Sequence, residues 1–171
     1  VKVAGTVDAS GKTGGGSIKI GGDYQGGGTL AKADEVRIED GAQIMANADV
    51  NGDGGLIVAW SEKLTEAFGD FFAKGGTEGG DGGIIETSGR DVLSIDGASA
   101  NTLATVGNVG YWLLDPDNID VKTSGVAYNS GLPGTGTSTI NVASINSALS
   151  NVVLAANKTI TFSTNVNIAA A

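Results

Sequence analysis

Between Asp115 and Asp120 three carboxylates fall within six positions, Asp115-Pro116-Asp117-Asn118-Ile119-Asp120. That density suits a hard cation, which needs several oxygen ligands, or an acid/base pair of the kind that cleaves glycosidic bonds. Asp-Pro-Asp-Asn is also a strong turn, because Pro presets φ and Asp side chains bond nearby backbone, and turn is the leading reading. Asp81, in Gly79-Gly80-Asp81-Gly82-Gly83, has the glycine-aspartate make-up of calcium-binding nonapeptides but is not repeated in tandem. It reads as a corner, and Asp81, Asp115, Asp117 and Asp120 stand as the candidate metal ligands, with calcium the minor alternative to no cofactor at all.

Trp60, Tyr111 and Trp112 could stack on sugar rings from an exposed groove, although single aromatics in an aromatic-poor chain usually serve packing. Gly11-Lys12-Thr13-Gly14 ends like a phosphate loop, but Thr6 stands where the first glycine belongs and no helix is expected after it. The chain contains no histidine. It therefore lacks the commonest general base, nucleophile activator and zinc ligand, and no lysine is recognisably placed to activate a serine. No catalytic residue is expected.

The elements that would position these groups are short and glycine-punctuated. Among 171 residues there are 29 glycines and only two prolines, without a three-residue period, so collagen is excluded. Alternating Val, Ile and Leu between the glycines argue against disorder. The net charge of −9, with basic residues scattered singly, leaves no stripe to neutralise nucleic-acid phosphates and disfavours anionic membranes. No stretch approaches the roughly 20 apolar residues that span a bilayer. Cysteine is absent, so stability must rest on packing and hydrogen bonds.

Internal repetition is the strongest signal. Gly15-Gly16-Ser17-Ile18, Gly54-Gly55-Leu56-Ile57, Gly82-Gly83-Ile84-Ile85 and a degenerate Gly110-Tyr111-Trp112-Leu113 align with Ile18, Ile57, Ile85 and Leu113 as anchors, at separations of 39, 28 and 28. Upstream of the first three lies a second strand: Thr6-Val7-Asp8-Ala9, Gln43-Ile44-Met45-Ala46 and Asp70-Phe71-Phe72-Ala73. Glycine and Asn/Asp turns join them. Such turns also fit antiparallel hairpins, but repeated strand-turn units with an insertion around Tyr24 to Asp40 suit stacked rungs.

Ser61 to Phe72 has an N-cap and apolar residues at helical spacing, so pattern alone gives a helix there. Gly69 weakens that reading, and Leu64, Phe68 and Phe71 could equally point inward from two successive strands, which is the reading preferred. Beyond Asp120 no acidic residue occurs and only four glycines follow, which divides the chain into residues 1–120 and 121–171. In the second part, Gly131 to Thr137 reads as a loop and Ser144 to Ser150 as a short helix capped by Ser144. Val152-Val153-Leu154, Thr159 to Phe162 and Asn165 to Ile168 read as strands.

The ordered series Asp8-Ala9-Ser10-Gly11, Gly14 to Gly28, Asn51-Gly52-Asp53-Gly54-Gly55, Val58-Ala59-Trp60-Ser61, Gly79 to Gly83 and Leu113-Leu114-Asp115-Pro116-Asp117-Asn118-Ile119 resembles filamentous-haemagglutinin-type adhesins over nearly the whole chain. The resemblance implies an all-β, right-handed parallel β-helix, or β-solenoid, with one short helix near 144–150. It also implies strands across Leu64 to Phe72. It further implies a secreted bacterial cell-surface protein, exported through an outer-membrane partner by two-partner secretion and acting in adhesion, aggregation or biofilm formation. The chain would then be a fragment of a longer protein, binding a cell-surface or matrix polysaccharide or protein, and associating end to end. A ligand-free surface-layer or sheath protein and a carbohydrate-active β-helix enzyme are the alternatives, the second resting on fold analogy alone.

Overall fold

The repeat alignment becomes a hydrogen-bonded sheet. In the computed structural model, which describes residues 1–123 and 136–166, Ile18, Ile57 and Ile85 face one another as Cα partners. They sit on β3 (Ser17–Ile20), β6 (Leu56–Ser61) and β9 (Ile84–Gly89), which continue to β12 (Tyr111–Leu114) and β15 (Asn151–Leu154). The second repeated strand forms its own sheet: β2 (Thr6–Asp8), β5 (Gln43–Met45), β8 (Asp70–Phe72) and β11 (Ser99–Asn101). A third sheet holds β1 (Lys2–Val3), β4 (Glu35–Ile38), β7 (Leu64–Ala67) and β10 (Val92–Ser94). Every pairing in these sheets is parallel. The chain thus visits the three sheets in the same order four times, and the fold is all-β, with one short helix among the described residues.

Side-chain alternation sends one row of each strand into a shared core. Ile18, Ile38, Ile44, Ile57, Phe71, Ile85 and Trp112 are buried there, and Trp112 Nε1 donates to Thr87 Oγ1 at 2.9 Å. The fourth anchor is therefore Trp112 and not Leu113: Trp112 pairs with Ile85, whereas Leu113 pairs with Glu86. A slip of one residue in a strand exchanges its two faces, and the glycine pair that fixed the phase in the first three copies is reduced to Gly110 in the fourth.

Ser61 to Phe72 is not a helix. β7 and β8 cross it, with a bend at Gly69 between them. Phe71 is fully buried, but Leu64 and Phe68 are only half-buried, and Thr65 and Ala67 face inward in their place. The buried Thr65 hydroxyl lies 2.8 Å from Ser61 Oγ and donates to Ser88 O at 2.8 Å, so its polarity is satisfied.

One corner contact recurs in each layer. Gly16, Gly55, Gly83 and Gly110 donate their N–H groups to the carbonyls of Ala9, Ala46, Ala73 and Thr102, at 2.8, 2.7, 2.7 and 3.0 Å. The preceding corner residue lies against the next layer: a Cβ on Gly82 would stand 1.8 Å from Thr102 O and 2.5 Å from Gly110 N. Beside it runs a side-chain ladder in which Asp53 Oδ1 accepts from Asp81 N–H at 2.8 Å and Asp81 Oδ1 from Asn108 N–H at 2.7 Å.

After β12 the pattern changes. β13 (Asn118–Lys122) pairs with β14 (Ser138–Asn141) on one side and β16 (Thr159–Phe162) on the other, all parallel. Asp117 N–H bonds Arg90 O at 2.8 Å, so β13 sets out beside β10. Ser138 then comes between them, pairing with Ile119 and accepting from Leu93 N–H through its hydroxyl at 2.9 Å. The helix α1 spans Val142–Asn146, earlier than the expected 144–150. Asn141, not Ser144, caps it by accepting from Ala143 N–H at 2.9 Å, and this frees Leu149 to bridge Asn101 as the next strand position of the second sheet. β15 and β16 match two of the three expected terminal strands. Asn165 and Val166 are not in a strand, Asn167 and Ile168 lie outside the described residues, and so does the Gly131 to Thr137 loop apart from Gly136 and Thr137.

The corner geometry gives a direct test. Gly82→Ala should destabilise the protein by about 2–4 kcal/mol, because backbone and not a movable side chain meets the new methyl. Gly5→Ala, with nothing within 4 Å of the new Cβ, should be neutral or slightly stabilising in the same urea titration.

Candidate functional site

The excess of 39 over 28 in the first repeat interval, 11 residues, goes mainly into a flap over the outer face of the sheet that holds β3, β6, β9 and β12. Gly21 to Ala33 leaves β3 and returns, closed by Ala33 N–H to Gly21 O at 2.7 Å. Asp23 ties it: one carboxylate oxygen pairs with Lys19 Nζ and the other accepts from the N–H groups of Thr29 and Leu30, both at 3.1 Å. The lysine and those backbone donors hold the Asp23 carboxyl below its ordinary value. A single 3-10 turn, Tyr24–Gly26, forms the tip.

Coverage by the flap explains why β6 and β9 are buried on both faces, whereas β3 alternates between exposed and buried. Trp60, only 4% exposed, lies under the tip. A Cβ on Gly26 would stand 2.2 Å from the Trp60 ring, and its φ of +62° is a conformation side chains rarely adopt, so glycine is required twice over. Lys32 and Arg90 lie over the same ring at 5.2 and 5.6 Å, and Arg90 also pairs with Glu62 at 2.5 Å.

Beneath the tip sits Glu86, with no solvent exposure. Its Oε2 accepts from Gln25 N–H at 2.8 Å, while Oε1 has no partner. Burial pushes its carboxyl up to about 7; the Gln25 N–H and the nearby Ser88 hydroxyl act in the opposite sense, and the Asp115 charge adds to the rise. Asp115 is itself raised, first by burial and then by Asp117, while the Gln25 amide, 3.5 Å away, lowers it. The Tyr24 and Tyr111 hydroxyls meet at 3.2 Å, and burial raises the Tyr24 phenol. Next to this cluster a cleft of about 310 Å³ is lined by Gln25, Trp60, Arg90, Asp115 and Asn157.

The carboxylates expected to act together are dispersed. Asp117 pairs with Lys158 at 2.5 Å and accepts from Asn157, and Asp120 pairs with Lys122 at 2.8 Å and accepts from Ser163. Both are held below their ordinary values by those partners. Asp81 belongs to the corner ladder, and among the described residues no three acidic side chains converge as a metal group. Of the candidate sugar contacts, Trp112 is in the core, Trp60 is beneath the flap and Tyr111 is half-buried against Tyr24.

What gathers is a set that motif spacing did not single out: Tyr24, Gln25, Glu86 and Asp115. Only the long first interval signalled it. A strand-borne Glu86 reads as solvated until something is known to cover that face. With the flap down, Glu86 cannot reach a substrate, and its chemistry is proton uptake near neutral pH. No family model and no curated protein matches the chain.

Gly26→Ala should lift the flap tip without touching the core. The expected result is a red shift and greater acrylamide quenching of Trp60 fluorescence, read against the buried Trp112, with a stability loss of about 1–3 kcal/mol.

Proposed function

We propose that this chain is a segment of a large secreted bacterial surface protein of the filamentous-haemagglutinin type, folded as a right-handed parallel β-helix and working as a rod-forming adhesin. The observation that carries the reading is the fourfold visit to three parallel sheets in constant order, with Ile18, Ile57, Ile85 and Trp112 in register. A chain that returns to each sheet one strand further on winds as a coil, and parallel crossovers are right-handed in nearly all proteins. Stacked rungs make a stiff body whose contacts are spread along its length, which suits projection from a surface more than turnover of a small substrate.

A mechanical and not an enzymatic role is supported by the site chemistry. The acidic groups Asp117 and Asp120 are neutralised by lysines, and Glu86 is sealed. Export through an outer-membrane partner, and binding to a cell-surface or matrix polysaccharide or protein, follow from the resemblance of the sequence series. Ile160 and Phe162 on β16 and Val153 on β15 are exposed at 40, 56 and 42%. That apolar rim favours a further layer against it, whether more of the same chain or a second copy.

A ligand-free sheath is the second reading, favoured by the burial of Trp60 and Trp112, which withdraws two aromatic side chains from sugar stacking. The two separate in a binding experiment on the purified chain. An adhesin should give saturable binding to a subset of polysaccharides or bacterial and host cells, whereas a sheath should bind none. For the coil, cryo-electron microscopy of assembled chains should show a repeat of about 4.8 Å along one long axis; a closed antiparallel body would sink the reading.

A further inference from the structure

We infer that the Gly21–Ala33 flap is a proton-controlled latch, closed over Val58, Trp60 and Glu86 when Glu86 carries a proton and loosened when it does not. The geometry supplies each part. The flap is a discrete excursion closed on itself by the Ala33–Gly21 bond, so it can lift without unpairing a strand of any sheet. Its tip is attached to the sheet at three places: Gln25 N–H on Glu86, the Gln25 amide on Asp115, and the Tyr24 hydroxyl on that of Tyr111. The first is to a side chain that is fully buried and has one oxygen unsatisfied.

That unsatisfied oxygen is the source of the sensitivity. As a carboxylate it would hold charge away from water with only the Gln25 N–H and the Ser88 hydroxyl turned toward it, a costly state that admitting water relieves. The groups around it offer no cation in compensation. From the flap come Tyr24 and Gln25, both neutral; from β12 and the turn after it, Tyr111 and the acidic Asp115; from β9 itself, Ser88; and from β6, Val58 in the same outward row. Lys19 is on the far side of Val58 and is already committed to Asp23 at the flap's base. Arg90 and Lys32 lie over Trp60, and each is paired with Glu62.

The direction follows by linkage. Closed, Glu86 titrates at about 7; open and solvated, it returns toward its ordinary 4.5. The closed flap is favoured fully below the open value, loses ground as pH rises between the two, and reaches its weakest point above about 7. Across that window the opening equilibrium rises by roughly two orders of magnitude. Acid shuts the flap, and neutral pH lets it move.

Amide hydrogen exchange on the intact chain tests this between about pH 5 and pH 7. Intrinsic exchange is base-catalysed and rises about tenfold per pH unit; opening that also grows about tenfold per unit makes the Gln25 amide, whose N–H bonds Glu86, rise nearly a hundredfold per unit. Ile44 and Phe71, in the second sheet, exchange through wider unfolding, which exposes Glu86 too, so they share that linkage but should exchange far more slowly than Gln25. In Glu86→Gln, which keeps the shape but cannot ionise, the Gln25 amide should fall back to the tenfold slope. Asp115→Asn, which leaves Glu86 ionisable, should keep the steep slope but move its upper limit to lower pH. A tenfold slope at Gln25 in the unmodified protein, a steep slope there that survives Glu86→Gln, or Gln25 exchange as slow as that of Ile44 and Phe71 would each overturn the latch.

Discussion

The structure depends on how closely successive layers can approach at one corner. Four times the chain turns there on a glycine whose N–H reaches the carbonyl that ends the preceding strand. The adjoining glycines bring backbone against backbone between layers, at distances where a methyl group has no room. That approach sets the phase of β3, β6, β9 and β12, hence which side chains enter the core. Hydrophobic burial then supplies the stabilisation, but the burial is available only because the corner fixes the register. Glycine is entropically costly to order on folding; here its repeated use is what allows parallel strands to stack without side chains holding them apart.

Much of this was legible in the sequence because the repeating feature is local. A glycine pair followed two residues later by an apolar residue states both the corner and the inward phase, and the second strand of each layer was visible for the same reason. The third sheet was harder: β4 buries Val36 and Ile38 but β7 buries Thr65, Glu66 and Ala67, and β1 is two residues long, so no common pattern emerges. The fourth anchor slipped by one where a glycine was lost. The helix start shifted because Asn141 and Ser144 are both good caps, and the choice between them is made by the neighbouring layer.

The candidate site was illegible for a different physical reason. Motif reading looks for residues close in sequence, and Tyr24, Gln25, Glu86 and Asp115 are brought together by stacking and by a flap that folds back over the sheet. In sequence Asp115 stands in the company of Asp117 and Asp120, which the fold gives to Lys158 and Lys122. Acidity in this chain thus includes carboxylates paired with cations, such as Asp23, Glu66, Asp117 and Asp120, and one, Glu86, that is fully buried without a cation. Only the interval of 39 where 28 is the norm distinguished the region in advance.

The position of β13 bears on how such a chain can be assembled. Its two neighbours, β14 and β16, both follow it in sequence, and Ser138 of β14 lies between it and β10. A structure that grows by adding each new strand to the last exposed edge would here have to leave a gap one strand wide and fill it afterwards. Among the described residues spatial order and chain order part company here, so the layers before it can be laid down progressively while those after it must close together.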